Sequence, residues 1–320
     1  MKVFIYRSLC LVLALGWLSA RCAQAETAIA PKDYRILFVK GSHGGAAKIT
    51  LLKKVAKANE RAAFTIETKA DKDLGEVADA LAVFAQYDLV VLDSVSARTA
   101  KRDYAKYQGK LSALPNKVFA MNATGDGQLR QGISEKTAAT YQSYFDNGGQ
   151  VNFERLVEFI YYRVQNEDAS QIVQAPVVYP EVGLYHPDYE QLIFPTRDGY
   201  FAWRKITDMN KTVIALNLQR ASIESVQTEL IDEAIRRIEA AGHIALPFFF
   251  ELSPMASDYS QLLQQKDGGK VTTIADAMIN FRSIHWANQL KAEFTQFGIP
   301  VVQAITHYQG DQADWEASEE

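Results

Sequence analysis

The chain alternates short apolar runs with one-sided helical patterns, and the clearest instance lies between Lys211 and Pro247. Thr212 to Leu218 (Thr-Val-Ile-Ala-Leu-Asn-Leu) is rich in β-branched residues and almost wholly apolar, which predicts a buried strand. Ser222 and Ser225 then offer capping oxygens, and Val226, Leu230, Ile231, Ala234, Ile235 and Ile238 recur at the spacing that draws one apolar stripe along a helix. Gly242 supplies a left-handed stop, and Ile244 to Phe250, interrupted by Pro247, begins the next strand. Strand, crossover helix and strand make a βαβ unit. Its parallel pairing needs both sheet faces covered, so this half of the chain is expected to be α/β.

The first half carries the same alternation. Tyr34 to Val39 reads as a strand, Ala46 to Asn59 as a helix, Ala63 to Glu67 as a strand, and Leu74 to Phe84 as a helix with Val77, Leu81 and Phe84 on one side. Leu89 to Leu92 is a buried strand ending at Asp93, and Val118 to Met121 is expected to close this sheet. Thr137 to Val164 is helical, broken at Asp146-Asn147-Gly148-Gly149, with Asn152 placed to cap the second helix. From Val177 to Trp203 the character changes. Pro176, Pro180, Pro187 and Pro195 punctuate a stretch crowded with Tyr179, Tyr185, Tyr189, Phe194, Tyr200, Phe201 and Trp203, which reads as an ordered connector without regular helix or central strand. Beyond it, Ala277 to Phe281 is a strand, Trp286 to Phe297 a helix stopped at Gly298, and Val301 to Ile305 another strand. The expected architecture is α/β, with two open parallel-sheet lobes of the flavodoxin or Rossmann kind. They span residues 26–170 and 211–320, joined by a connector at 171–210.

Composition narrows the partners. A chain of 320 residues that is 48% hydrophobic can bury a large core, and its length favours about two domains. Its 34 basic and 38 acidic residues are interspersed, with no basic stripe, so charge does not point to nucleic acid. Lys2 and Arg7, the apolar run Leu11 to Leu18 and the small-x-small site Ala23-Gln24-Ala25 have the layout of a secretory signal peptide, residues 1–25, removed before Glu26. The expected location is therefore periplasmic; a membrane anchor at Cys22 is the alternative. Cys10 and Cys22 both lie in that leader, so the mature chain has no disulfide and no thiolate metal site.

Candidate chemistry is sparse. Gly41-Ser42-His43-Gly44-Gly45 ahead of a helix invites a phosphate-loop reading, but Lys48 follows Ala47 and precedes Ile49 where the loop requires Gly-Lys and then Ser or Thr. A tight turn, or an anion held on backbone amides, remains. Asp93 closes a parallel strand, where α/β folds place their ligands, though carboxylates also terminate strands for structural reasons. No two histidines have the close helical spacing of a zinc helix.

Several separated pieces together resemble the amino-terminal part of the large subunit of cobaltochelatase and magnesium chelatase. They are Gly148-Gly149-x-x-Asn152, Gly183-Leu184-Tyr185-His186-Pro187, Tyr200-x-x-Trp203, the unit from Val213 to Gly242, Gly298-Ile299-Pro300-Val301-Val302-Gln303, and Trp315-Glu316-Ala317-Ser318. The resemblance implies insertion of cobalt or magnesium, as substrate, into a tetrapyrrole. The large subunit would hold the macrocycle, and ATP would enter only through separate AAA+ motor subunits. It makes the chain the front part of such a subunit, its second lobe continuing in the remainder of the large subunit, inactive alone. An exported tetrapyrrole- or metal-binding module without turnover is the alternative. His186, Tyr185 and Trp203, in the matching motifs, become ligand-contact candidates, joined by Arg220, Arg282 and His285, which follow strands. His186 and His307 are the candidate metal ligands. No residue is singled out as a catalytic base.

Overall fold

The computed structural model describes residues 33–41, 46–60, 62–166, 173–250, 259–282, 291, 294–305, 313 and 316–317. Residues 1–25, read as a signal peptide, and His43, His285, Trp286, His307 and Trp315 lie outside them. Among the described residues no helix is long and apolar enough to cross a membrane.

The first lobe is built on β1 (Tyr34–Lys40), α1 (Ala46–Lys57), β2 (Phe64–Ala70), α2 (Val77–Phe84), β3 (Leu89–Asp93), α3 (Ala97–Asp103), β4 (Lys117–Ala120) and β5 (Arg130–Gln131). The strands form one sheet in the order β2-β1-β3-β4-β5, parallel except for β5. The sheet therefore does not close at Met121 as expected. A short antiparallel edge follows, because the chain turns back after the loop Asn122 to Gly127 and pairs Arg130 with Phe119. The apolar runs are apolar throughout because both faces are covered. Ile36, Phe38 and Val91 pack on one side against α1 and two further helices, α4 (Glu135–Asn147) and α5 (Gly149–Phe159), while Leu37, Val39, Val90 and Leu92 pack on the other with Phe84, Tyr104 and Tyr107.

The second lobe contains β6 (Val182–Tyr185), β7 (Ile193–Phe194), α6 (Arg197–Arg204), β8 (Val213–Leu218), α7 (Arg220–Glu224), α8 (Glu229–Ala240), β9 (Ile244–Phe250), α9 (Ser260–Leu263), the hairpin β10 (Gln264–Asp267) and β11 (Lys270–Thr273), β12 (Ala277–Asn280) and β13 (Val301–Gln303). Its sheet runs β13-β12-β8-β9-β6-β7, with β13, β12, β8 and β9 parallel. The βαβ unit read between Lys211 and Pro247 is its centre. Both lobes are thus α/β with mostly parallel sheets.

Two local expectations change. The aromatic stretch expected as a connector supplies β6 and β7 to the antiparallel edge of the second sheet, then helix α6. Its prolines bound these elements instead of forbidding them: β6 fits between Pro180 and Pro187, and β7 stops just before Pro195, after which Thr196 caps α6 by accepting from Gly199 N. The region between β8 and α8 also differs. Ser222 and Ser225 sit in and after the short helix α7, Ser225 Oγ donates back to Ala221 O at 2.6 Å, and α8 starts only at Glu229.

Asn152 is not a cap either. It lies inside α5, fully buried, and its side-chain amide pairs with the backbone of Val177 in both directions, at 2.8 and 2.9 Å. Asn147 Oδ1 accepts from Tyr179 N at 2.9 Å. These two asparagines hold the strap that leaves the first lobe, in the manner of a neighbouring strand.

Candidate functional site

In a doubly wound sheet, ligands sit beyond the carboxyl ends of the strands, where the strand order reverses. The first sheet reverses between β1 and β3, the second between β8 and β12. The helices that follow β1 and β8, the first strand of each reversal, meet across the join of the lobes. Lys48, in the first turn of α1, donates to Glu224 of α7 and to Asp146 O, each at 2.6 Å, and Glu224 also meets Arg220 at 2.7 Å. On the first-lobe side the polar belt continues: Gln142 donates to Asp146 Oδ2 and to Asn122 Oδ1, and Asn122 donates to Ser94 O beyond β3. Gly148 comes so close that a Cβ there would run into the carbonyl oxygen of Glu224.

Asp93 stands at the first reversal, opposite Lys40 in register and only 4% exposed. The Tyr104 hydroxyl lies between Val39 O and Asp93 O, at 2.8 and 2.5 Å, and ties the two strand ends together. Asp93 Oδ2 has no hydrogen-bond partner among the described residues. Burial pushes its carboxyl up to about 6, against the opposing pull of Lys40 and Lys48. Burial raises Asp146 as well.

At the second reversal the apolar strands each end in an amide. Asn217 of β8, Asn280 of β12 and Gln303 of β13 are in register across the carboxyl edge. Gln303 Nε2 points at the carbonyls of Asn280, Arg282 and Ala304; Asn280 Nδ2 donates to Gln303 Oε1 at 2.6 Å, and Asn217 Nδ2 to Asn280 Oδ1 at 2.9 Å. The two asparagines are at most 1% exposed. Arg282 leaves the end of β12 and donates to Phe250 O at the end of β9, its guanidinium 4.1 Å from the Phe250 ring centre. Since β8 lies between β12 and β9, the Arg282 side chain crosses the end of β8.

The sequence-predicted residues divide between two edges. Arg220 and Arg282 are at the carboxyl rim. Tyr185, His186 and Trp203 are at the opposite edge of the same sheet, because β6 runs antiparallel to β9 and carries its end toward the start of that strand. His186 is fully buried. Its Nδ1 accepts from Asp188 N at 3.1 Å, which leaves Nε2 to donate to Glu239 Oε1 at 3.2 Å. Trp203 packs edge-on against it at 4.8 Å, and Tyr185 donates to Asp232 at 2.8 Å. With both ring nitrogens engaged, His186 fixes the β6–β7 turn. Glu239, its partner, lines a cavity of about 190 Å³ with Arg204, Lys211 and His243. His285 and His307 lie outside the described residues, among which no group of three or more His, Cys, Asp or Glu is placed to hold a metal.

Sequence reading gave no role to Asn217 or Asn280, carried Gln303 only as the last residue of a family motif, and weighed Lys48 only as a phosphate-loop lysine. The available signal was one polar residue near the end of each apolar run.

A family model described as CobN/Magnesium Chelatase matches residues 142–320, more than half of the chain. The match begins at Gln142, in the polar belt, and includes the strap asparagines and the whole second lobe. The solved catalytic subunit of cobaltochelatase from Mycobacterium tuberculosis superposes with a TM-score of 0.51 at 17% identity, over 89% of this chain and 22% of that one. The chain thus spans about a fifth of that subunit, and the likeness is one of fold. Anabolic ornithine carbamoyltransferase from Campylobacter jejuni subsp. jejuni NCTC 11168 aligns over 89% of this chain and 80% of its own at 11% identity, with a TM-score of 0.23 that carries no argument. No curated protein matches. On the extent of the family match, the chain belongs to the CobN/magnesium chelatase family.

Proposed function

We propose that this chain is the amino-terminal portion of a chelatase large subunit and that it holds a tetrapyrrole, a corrin precursor or a porphyrin, for insertion of cobalt or magnesium. The observation that carries the reading is the polar belt at which the helices following β1 and β8 meet, Lys48 against Glu224, inside a chain whose family is that of the chelatases. The macrocycle lies at the join of the lobes, with Arg220 and Arg282 turned to its acidic or amide side chains. Insertion removes two pyrrole protons and strips water from the metal, which for magnesium is slow and calls for supplied work. That work comes from ATP hydrolysed on AAA+ partner subunits, and the rest of the large subunit completes the site.

The test is optical. The chain beginning at Glu26 is titrated into a porphyrin and into a corrinoid while the Soret or visible band is followed. A saturable shift in the micromolar range is the expected result; a flat titration with both ligands removes the reading. Metal insertion is expected only when the motor subunits and the rest of the large subunit are added.

The leader-like segment supports a second reading, an exported module that binds the macrocycle without turnover. Fractionation separates the two. Recovery of the chain from the periplasm, cut before Glu26, favours the exported module, and recovery with the motor subunits favours the enzyme.

A further inference from the structure

The ladder at the second reversal has a direction. Gln303 is oriented by the carbonyls around its Nε2, so its oxygen must face Asn280; Asn280 in turn presents its oxygen to Asn217 Nδ2 and to Arg282 N. The last member, Asn217, is left with its Oδ1 buried and with no hydrogen-bond partner among the described residues. A buried acceptor without a donor is costly, and the cost is relieved by a group that brings an N–H. A cation would meet the same oxygen only beside the guanidinium of Arg282, whose side chain crosses the end of β8, and like charge disfavours it.

We propose that Asn217 and Arg282 form a subsite for a carboxamide side chain of the bound ligand, with Asn217 Oδ1 accepting the amide N–H and Arg282 donating to the amide oxygen. The subsite rests on the tetrapyrrole-holding reading and adds to it a preference among side chains. Arginine alone attracts a carboxylate more strongly than an amide. Asn217 reverses that order, since a carboxylate brings no N–H and sets a negative oxygen against Oδ1. The sign of the preference therefore isolates the role of Asn217 from that of the charge.

The experiment compares a porphyrin dicarboxylate with its bis-carboxamide, titrated into the chain from Glu26 and read at the Soret band. The wild type is expected to bind the bis-carboxamide tighter by about tenfold or more. Asn217→Ala brings the ratio close to one, and so does Gln303→Met, which frees the ladder to turn and lies on the exposed edge strand, where folding tolerates it. Circular dichroism checks the fold of each variant, and Gln303→Met decides if Asn217→Ala does not fold. Equal affinities in the wild type, preference for the dicarboxylate, or a ratio unmoved by the folded variants overturns the subsite and leaves tetrapyrrole binding standing. Binding of neither porphyrin overturns the subsite together with the reading beneath it.

Discussion

Lys48 of the first lobe and Glu224 of the second stand 2.6 Å apart, with side chains 19% and 9% exposed. Breaking one side of a buried ion pair strands the other charge, a loss of roughly 3–5 kcal/mol where burial is complete. Here Arg220 continues to neutralise Glu224 and Lys48 is partly wet, so Lys48→Met is expected to cost about 2 kcal/mol. Urea unfolding of the single and double variants with Glu224→Gln measures the coupling. Strict additivity would mean that the pair does not join the lobes.

Gly148 and Gly242 both have positive φ, but only the first is crowded. Gly148 has φ 58° and ψ −154°, a combination confined to glycine, and an added Cβ would meet the Glu224 carbonyl. Gly242, at φ 85°, has nothing within 4 Å of such a Cβ. Gly148→Ala should lower stability by about 3 kcal/mol or more, and Gly242→Ala by about 1 kcal/mol. Thermal melts of the two variants rank them, and equal shifts would remove the close approach as the cause.

The carboxyl of Asp93 is raised from 3.8 to about 6, chiefly by burial, so the folded chain holds this proton more tightly than the unfolded one. Protonated Asp93 is the form that folding favours. Stability from this group is complete below about pH 4, falls as the pH rises toward 6, and is level above, a loss of about 3 kcal/mol in all. Asp93→Asn removes the charge and should be more stable than the wild type at pH 7, with the difference fading toward pH 4. The difference in unfolding free energy between the two, followed by urea titration from pH 4 to 8, supplies the check; a variant less stable at pH 7 contradicts it.

His186 holds the backbone of Asp188 with one nitrogen and Glu239 with the other. Replacing it by alanine leaves the Asp188 amide unmet, while Glu239 keeps its ion pair with Arg204, and opens space against Trp203, at a cost of about 2–4 kcal/mol. Cobalt uptake by the chain, measured by equilibrium dialysis, should be the same in both proteins. Loss of cobalt from a folded variant would make His186 a metal ligand.

The βαβ core was legible because its determinants are local. Thr212 to Leu218 reads as a strand from its own composition, and Ile231, Ile235 and Ile238 reveal one face of a helix by spacing alone. Asn152 was misread for the opposite reason. A polar residue near the start of a helical pattern is a reasonable cap, and only the return of the chain at Val177 turns it into a clamp on a strap. The prolines misled similarly: residue by residue they argue against strands, yet β6, paired on both sides, fits between Pro180 and Pro187, and the edge strand β7 stops before Pro195.

The sequence by itself determined the class of the protein. The periodic spacing of apolar residues predicts mostly parallel sheets with helices on both faces, and the ordered motifs from Gly148 to Ser318 carry the resemblance to the family. Tertiary structure alone decided which polar residues meet. Lys48 reaches Glu224, and Asn217, Asn280 and Gln303 align, through strand order and register. Those pairings join residues far apart in the chain, and no local pattern of hydrophobic and polar positions encodes the distance between them.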